Sequence, residues 1–206
     1  MNRREFAASC LAASAAVLLT GSAAFAEPRI GQPAPAFTAT DSNGKSVSLA
    51  DFKGKTVVLE WTNDGCPYVR KHYNANAMQD LQRKWTAQDV VWLSVISSPK
   101  GEQGYADGAR ANKLSADRKA APTAVLLDAE QGVARAYRAA VTPHMFVITG
   151  EGTLAYMGAI DDNPSSRGEP RKARNYVDEA LTAVKAGKPV ATPTTRAYGC
   201  VVKYES

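Results

Sequence analysis

The amino-acid sequence predicts an α/β fold in which a central mixed sheet carries helices on both faces. Three observations predict it. Apolar runs of strand length alternate with helical patterns between Thr56 and Tyr137. A hairpin turn, Gly150-Glu151-Gly152, then separates two further apolar runs. An amphipathic helix closes the patterned part of the chain at Lys185. Elements in this order bury their apolar faces by stacking in layers.

Each element has its own signal. Ile30 to Lys55 is an N-terminal extension, kept extended at first by Pro33 and Pro35 and turned at Asp41-Ser42-Asn43-Gly44. Asn-Gly between apolar residues is a hairpin signal. Thr56 to Trp61 is a buried-type strand, and Thr62 to Pro67 is a loop. A single helix is expected from about Tyr68 to Ala87, because Val69, Tyr73, Ala77, Leu81 and Trp85 share one face. Pro67 suits its first position. Val90 to Ser97 and Ala124 to Leu127 are two more strands, with a weakly apolar helix over 102–120 between them. Ala129 to Tyr137 is a short helix. His144 to Thr149 and Thr153 to Met157 form the hairpin, and Arg171 to Lys185 is the last helix. Beyond Gly187 the chain is rich in Pro and Thr without a period, as in an extended tail.

The N-terminus reads as an export signal. A basic start, an apolar run from Phe6 to Leu19 and Ala24-Phe25-Ala26 form the pattern of a cleaved signal peptide. The run is shorter than the ~20 residues that span a bilayer, so no stable membrane anchor is expected. Asn2-Arg3-Arg4-Glu5-Phe6 is a partial match to a twin-arginine signal, which would export the folded protein. The division is then 1–26 signal peptide, 27–186 folded domain and 187–206 tail, with a periplasmic or secreted destination. Cleavage lowers the formal charge from +5 to +4. The basic residues are interspersed with acids, which argues for a solvated surface and against nucleic-acid binding. Cys10 leaves with the signal, and Cys66 and Cys200 remain, too few for a disulfide-built scaffold.

Cys66 carries the chemistry. It lies between a strand end and a helix start, where backbone N–H groups and the helix dipole favour a thiolate. Arg70, one turn on, is expected to add positive charge. His144 is a second candidate neighbour, which as an imidazolium would support the thiolate. His72 points about 600° around the helix from Cys66 and reads as a surface residue. Asp161-Asp162-Asn163 reads as turn chemistry and not as a metal site. No metal and no cofactor is expected.

Glu60-Trp61-Thr62-Asn63-Asp64-Gly65-Cys66-Pro67-Tyr68-Val69 resembles the redox-active segment of thioredoxin-like proteins. Ile30-Gly31-Gln32-Pro33-Ala34-Pro35-Ala36-Phe37 and Asp51-Phe52-Lys53-Gly54-Lys55 resemble the opening of the alkyl hydroperoxide reductase/thiol-specific antioxidant group. Thr142-Pro143 before a strand and Gly158-Ala159-Ile160-Asp161-Asp162 resemble its peroxiredoxin-like branch. The resemblance covers about residues 29–185. It implies a thioredoxin-like fold, a nucleophilic Cys66 and a cis Pro143 whose loop lies against that cysteine. It also implies a peroxide or protein disulfide as substrate and a thiol reductant met after export. The chain departs from the pattern at four positions. Val69 replaces the second cysteine of thioredoxins, Asn63 and Leu59 replace the peroxiredoxin Thr/Ser and Pro, and Ala159 stands where an arginine is expected.

The nucleophile therefore needs a partner from elsewhere. By subtraction that is Cys200, reached by a tail of about 45 Å when extended; an external thiol is the alternative. Two other functions are compatible with the same residues. Cys66 and His144 would be soft ligands in a copper-binding module, and Cys66–Cys200 would be an inert bridge in a structural protein.

Overall fold

The computed structural model describes residues 27–205. The expected signal peptide, 1–26, lies outside the described residues. The described residues form nine strands: β1 (Thr38–Asp41), β2 (Ser46–Ser48), β3 (Val57–Trp61), β4 (Val91–Ile96), β5 (Ala124–Leu127), β6 (Val141–Thr142), β7 (His144–Ile148), β8 (Leu154–Gly158) and β9 (Cys200–Val201). The helices are α1 (Pro67–Asn74), α2 (Ala77–Thr86), α3 (Gly108–Asp117), α4 (Gly132–Tyr137) and α5 (Tyr176–Lys185).

Seven strands form one mixed sheet in the order β2-β1-β5-β4-β3-β7-β8. The apolar runs β3, β4 and β5 are its parallel centre, and β7 and β8 continue it as an antiparallel hairpin. Side chains alternate between faces along a strand, so the sheet has two cores. Leu59, Trp61, Leu93, Phe146 and Ile148 pack with Tyr137 of α4 on one face. Val58, Trp92, Met145 and Val147 pack with Cys66, Val69, Met78 and Leu181 on the other. Helices thus cover both faces, as predicted.

Two expectations are corrected. The long helix is two helices, because Asn76 takes a left-handed conformation (φ 56°). Asn tolerates that geometry, and Gln79 Nε2 satisfies the freed Tyr73 carbonyl at 2.9 Å. The last helix starts at Tyr176 and not at Arg171, because Asn175 caps it by accepting the Asp178 N–H at 2.8 Å. Arg171 instead reaches back to the Ala75 carbonyl at 2.7 Å.

The tail is extended but firmly seated. The Met157 N–H donates to the Pro193 carbonyl at 3.1 Å and the Thr195 N–H to Met157 at 3.2 Å, which covers the β8 edge. The Val202 N–H donates to Ala140 at 3.0 Å, and Tyr204 Oη donates to the Ala134 and Ala139 carbonyls at 2.9 and 2.8 Å. Between these anchors β9 pairs antiparallel with β6, with Cys200 opposite Thr142. Such a two-residue ladder is too short to leave a period in the sequence.

Candidate active site

Cys66 is the N-cap of α1, with Pro67 behind it at the first helical position. Its loop is shaped by Asn63, whose Oδ1 accepts the Gly65 N–H at 2.8 Å and whose Nδ2 donates to the Gln103 carbonyl at 3.1 Å. Arg110 ties down the same loop through Asp64 at 2.6 Å. Cys66 ends the turn with 0% of its surface exposed. Its thiol donates to the Thr142 carbonyl at 3.1 Å, and the Thr142–Pro143 peptide bond is cis.

Cys200 packs against the same apolar cluster as Cys66 and lies within hydrogen-bonding reach of its sulfur. Both cysteines are free thiols. Burial pushes the Cys66 thiol up. Four donors outweigh it, the Cys200 thiol, the Thr142 hydroxyl and the N–H groups of Val69 and Cys200, and leave Cys66 below the ordinary thiol range. Cys200 goes the other way, to about 12, through burial first and then its hydrogen bond to Cys66 and the Cys66 charge. The pair is polarised: Cys66 ionises first and Cys200 keeps its proton. The Val69 N–H supplies the helix-terminal contribution, as expected for an N-cap sulfur.

Two expected supports are absent from Cys66. Arg70 is exposed, and its charge acts on Cys200, pulling that thiol down. His144 pairs with Trp61 across β7 and β3, on the sheet face opposite Cys66. Its ring stacks on Phe146 at 4.4 Å, and its Nδ1 accepts the Ala140 N–H at 3.2 Å. Burial lowers its pKa to about 4, so it is a neutral imidazole near neutral pH. The copper pair Cys66–His144 therefore does not form. Among the described residues no group of three His, Cys, Asp or Glu side chains could hold a metal ion.

Residues 30–157 match the AhpC/TSA family. The chain belongs to the AhpC/TSA family. This redoxin is 32% identical to Peroxiredoxin-2 of Macaca fascicularis, over 77% of this chain and 78% of that one. It is 29% identical to the thiol-disulfide oxidoreductase ResA of Bacillus subtilis, over 60% of this chain, and spans 64% of that relative's length. A hypothetical protein of Sinorhizobium meliloti has the same fold, with a TM-score of 0.75, 24% identity and coverage of 88% and 97% of the two chains. The thioredoxin-like fold and the redoxin resemblance expected from the sequence are borne out.

Ala159 is buried, and its N–H donates to Thr195 Oγ1 of the tail at 2.9 Å. Asn63 spends its amide on its own loop and on Gln103, and its Oδ1 is not a donor.

Two buried polar clusters escaped the sequence reading. Glu60 is fully buried on β3 and accepts from Tyr73 Oη, Gln82 Nε2, Trp92 Nε1 and Ser94 Oγ at 2.8, 3.0, 2.7 and 3.1 Å. A lone carboxyl inside the apolar run Val57–Trp61 was its signal. The second cluster joins Lys71, His72, Asp161 and Tyr198. His72 is 1% exposed and not a surface residue, because the tail covers it. Asp161 does form a turn, accepting the Asn163 N–H at 3.0 Å, but its side chain is buried in this cluster.

Proposed function

We propose that this redoxin is an exported thiol-dependent oxidoreductase in which Cys66 is the nucleophile and Cys200 its resolving partner. The Cys66 thiolate attacks a disulfide, forms a mixed disulfide and expels one thiolate. Cys200, deprotonated as it attacks, then displaces the second substrate thiolate and leaves the Cys66–Cys200 disulfide. A dithiol reductant takes over that bond by exchange and restores both thiols. With a peroxide, Cys66 attacks the O–O bond and releases alcohol or water. The resulting sulfenic acid condenses with the Cys200 thiol and loses water.

The observation that carries the reading is the polarised pair: a buried thiol held below its ordinary range beside a second thiol held at about 12. Thiolate on the attacking sulfur and a proton on the waiting one is the arrangement two-step exchange needs. Asn63 has its amide N–H groups committed to the Gln103 carbonyl and Ser98 Oγ, and Ala159 has no side-chain donor, which favours a disulfide substrate over a peroxide. Kinship with a protein named as a peroxiredoxin favours peroxide as the second reading. Export rests on the signal pattern of residues 1–26, with Ala26 as the expected cleavage site.

Stopped-flow mixing of the reduced protein with a small disulfide, hydrogen peroxide and an alkyl peroxide ranks the substrates. Mass mapping without reduction should then find a Cys66–Cys200 peptide in the monomer. A stable sulfenic acid or mixed disulfide at Cys66 with Cys200 free would transfer resolution to an external thiol.

A further inference from the structure

Cys66 has no exposed surface, so a substrate sulfur reaches it only when something moves. The tail residues Tyr198 and Cys200 pack against the apolar cluster that contains Cys66, and Cys200 lies within hydrogen-bonding reach of its sulfur. The tail is anchored before this segment, at Thr195, and at its far end by the pairing of Cys200 with Thr142 and by the Val202 N–H. From Arg196 to Gly199, among the described residues, the Tyr198 hydroxyl makes the hydrogen bonds that hold the tail's side chains to the domain.

Those bonds converge on groups that are otherwise dry. Tyr198 Oη donates to Asp161 Oδ1, accepts from Lys71 Nζ at 3.2 Å and lies 3.3 Å from His72 Nε2. Lys71 Nζ also donates to the Asn163 carbonyl at 2.6 Å and lies 4.9 Å from the centre of the Tyr198 ring. Asp161 Oδ2 has no hydrogen-bond partner among the described residues, and the side chains of Lys71 and Asp161 are 2% and 1% exposed. A buried carboxylate and ammonium lean heavily on each hydrogen bond they keep, because removing one partner leaves a charge uncompensated. Lys71 and His72 also belong to α1, the helix that Cys66 caps.

We propose that Tyr198 is a positioning residue whose hydroxyl latches residues 196–200 onto Lys71, His72 and Asp161 and so closes the tail over Cys66. This deepens, and rests on, the reading of Cys66 as the nucleophile. Opening the latch exposes Cys66 to substrate and lifts Cys200 away; closing it returns Cys200 for resolution. Gly199 makes the closed state a tight fit: at φ 146° a Cβ there would lie 1.9 Å from the Thr142 carbonyl oxygen. Only glycine permits that approach.

The test compares the alkylation rate of Cys66 by iodoacetamide in three proteins without a second thiol: Cys200→Ser, Cys200→Ser with Tyr198→Phe, and Cys200→Ser with Gly199→Ala. Each rate is divided by the thiolate fraction found by titration. Tyr198→Phe keeps the ring and removes the hydroxyl, and should raise the rate about tenfold, as loss of about 1.4 kcal/mol of closure requires. Gly199→Ala should raise it at least as much. The gain should be insensitive to low urea, as local opening is, whereas general loosening carries a steep urea slope. An unchanged rate in Tyr198→Phe overturns the latch, whatever Gly199→Ala does, and so does a gain that appears only with a steep urea slope. Disulfide mapping of the protein with Cys200 intact is a separate readout. Absence of a Cys66–Cys200 bond there sinks the resolving role and leaves the alkylation series to judge the latch.

Discussion

The donor role of Cys200 can be isolated by exchanging its sulfur for an oxygen and then for nothing. Cys200→Ser keeps a short side chain with an O–H aimed at Cys66. Cys200→Ala removes the donor and keeps the backbone N–H, which also bears on the Cys66 sulfur. A hydrogen bond to a charged group contributes about 1.5–3 kcal/mol. At about 1.4 kcal/mol per factor of ten, its loss should cut the Cys66 thiolate population at fixed pH about ten- to a hundredfold. Both variants leave one thiol in the mature chain, so thiolate ultraviolet absorbance against pH reports Cys66 alone. The Ala curve should lie to higher pH than the Ser curve. Coincident curves would refute the argument, because they would mean that the Thr142 hydroxyl and the helix N–H groups hold the thiolate without Cys200.

Other residues allow equally direct checks. Thr142 Oγ1 is buried without a hydrogen-bond partner while Cys66 is a thiol, yet it supports the thiolate. Thr142→Val should therefore leave the thermal midpoint unchanged or slightly higher and move the Cys66 titration to higher pH. Burial raises the Glu60 pKa against the pull of its four donors. Its stabilisation is thus full below the ordinary carboxylate pKa of about 4.3 and is lost as pH rises through the higher folded value. Glu60→Gln should flatten that fall, as read from urea midpoints of both proteins across the acid range. Protein recovered after export should begin at Glu27 by N-terminal sequencing, and a chain retaining Cys10 would contradict the signal assignment.

What the sequence reveals of this protein follows from how local each cause is. β3, β4 and β5 are legible because each is an apolar run bounded by loop residues. The break at Asn76 is not, because the four-residue apolar spacing from Val69 to Trp85 runs straight across it. Helical angle rightly turns His72 away from Cys66 but says nothing about burial, since its cover comes from Tyr198, far along the chain. His144 is misjudged for a related reason. The chain places it beside Pro143, and only the register with Trp61 decides which face of the sheet it occupies. Cys66 carries its own motif, whereas Cys200 is reached by counting thiols. The hydroxyl of Tyr198 has no sequence signal, because its partners lie on α1 and after β8.

Val69 marks the deeper difference between this site and a helix that carries both thiols. Here the helix supplies one sulfur and a backbone donor, and the tail supplies the other sulfur and two more donors, its thiol and its N–H. Two of the four groups that favour the Cys66 thiolate thus belong to the tail, and the Thr142 hydroxyl and Val69 N–H do not. With the proposed latch closed, the thiolate is best stabilised and least accessible; with it open, the thiolate would be accessible but without the Cys200 donors. A substrate that captures the thiolate in the open state must replace those donors with its own polar groups. A peptide disulfide, with backbone N–H groups flanking its sulfur, can do so. In the proposed mechanism, seating the partner thiol on a separate strand thus ties reactivity to access.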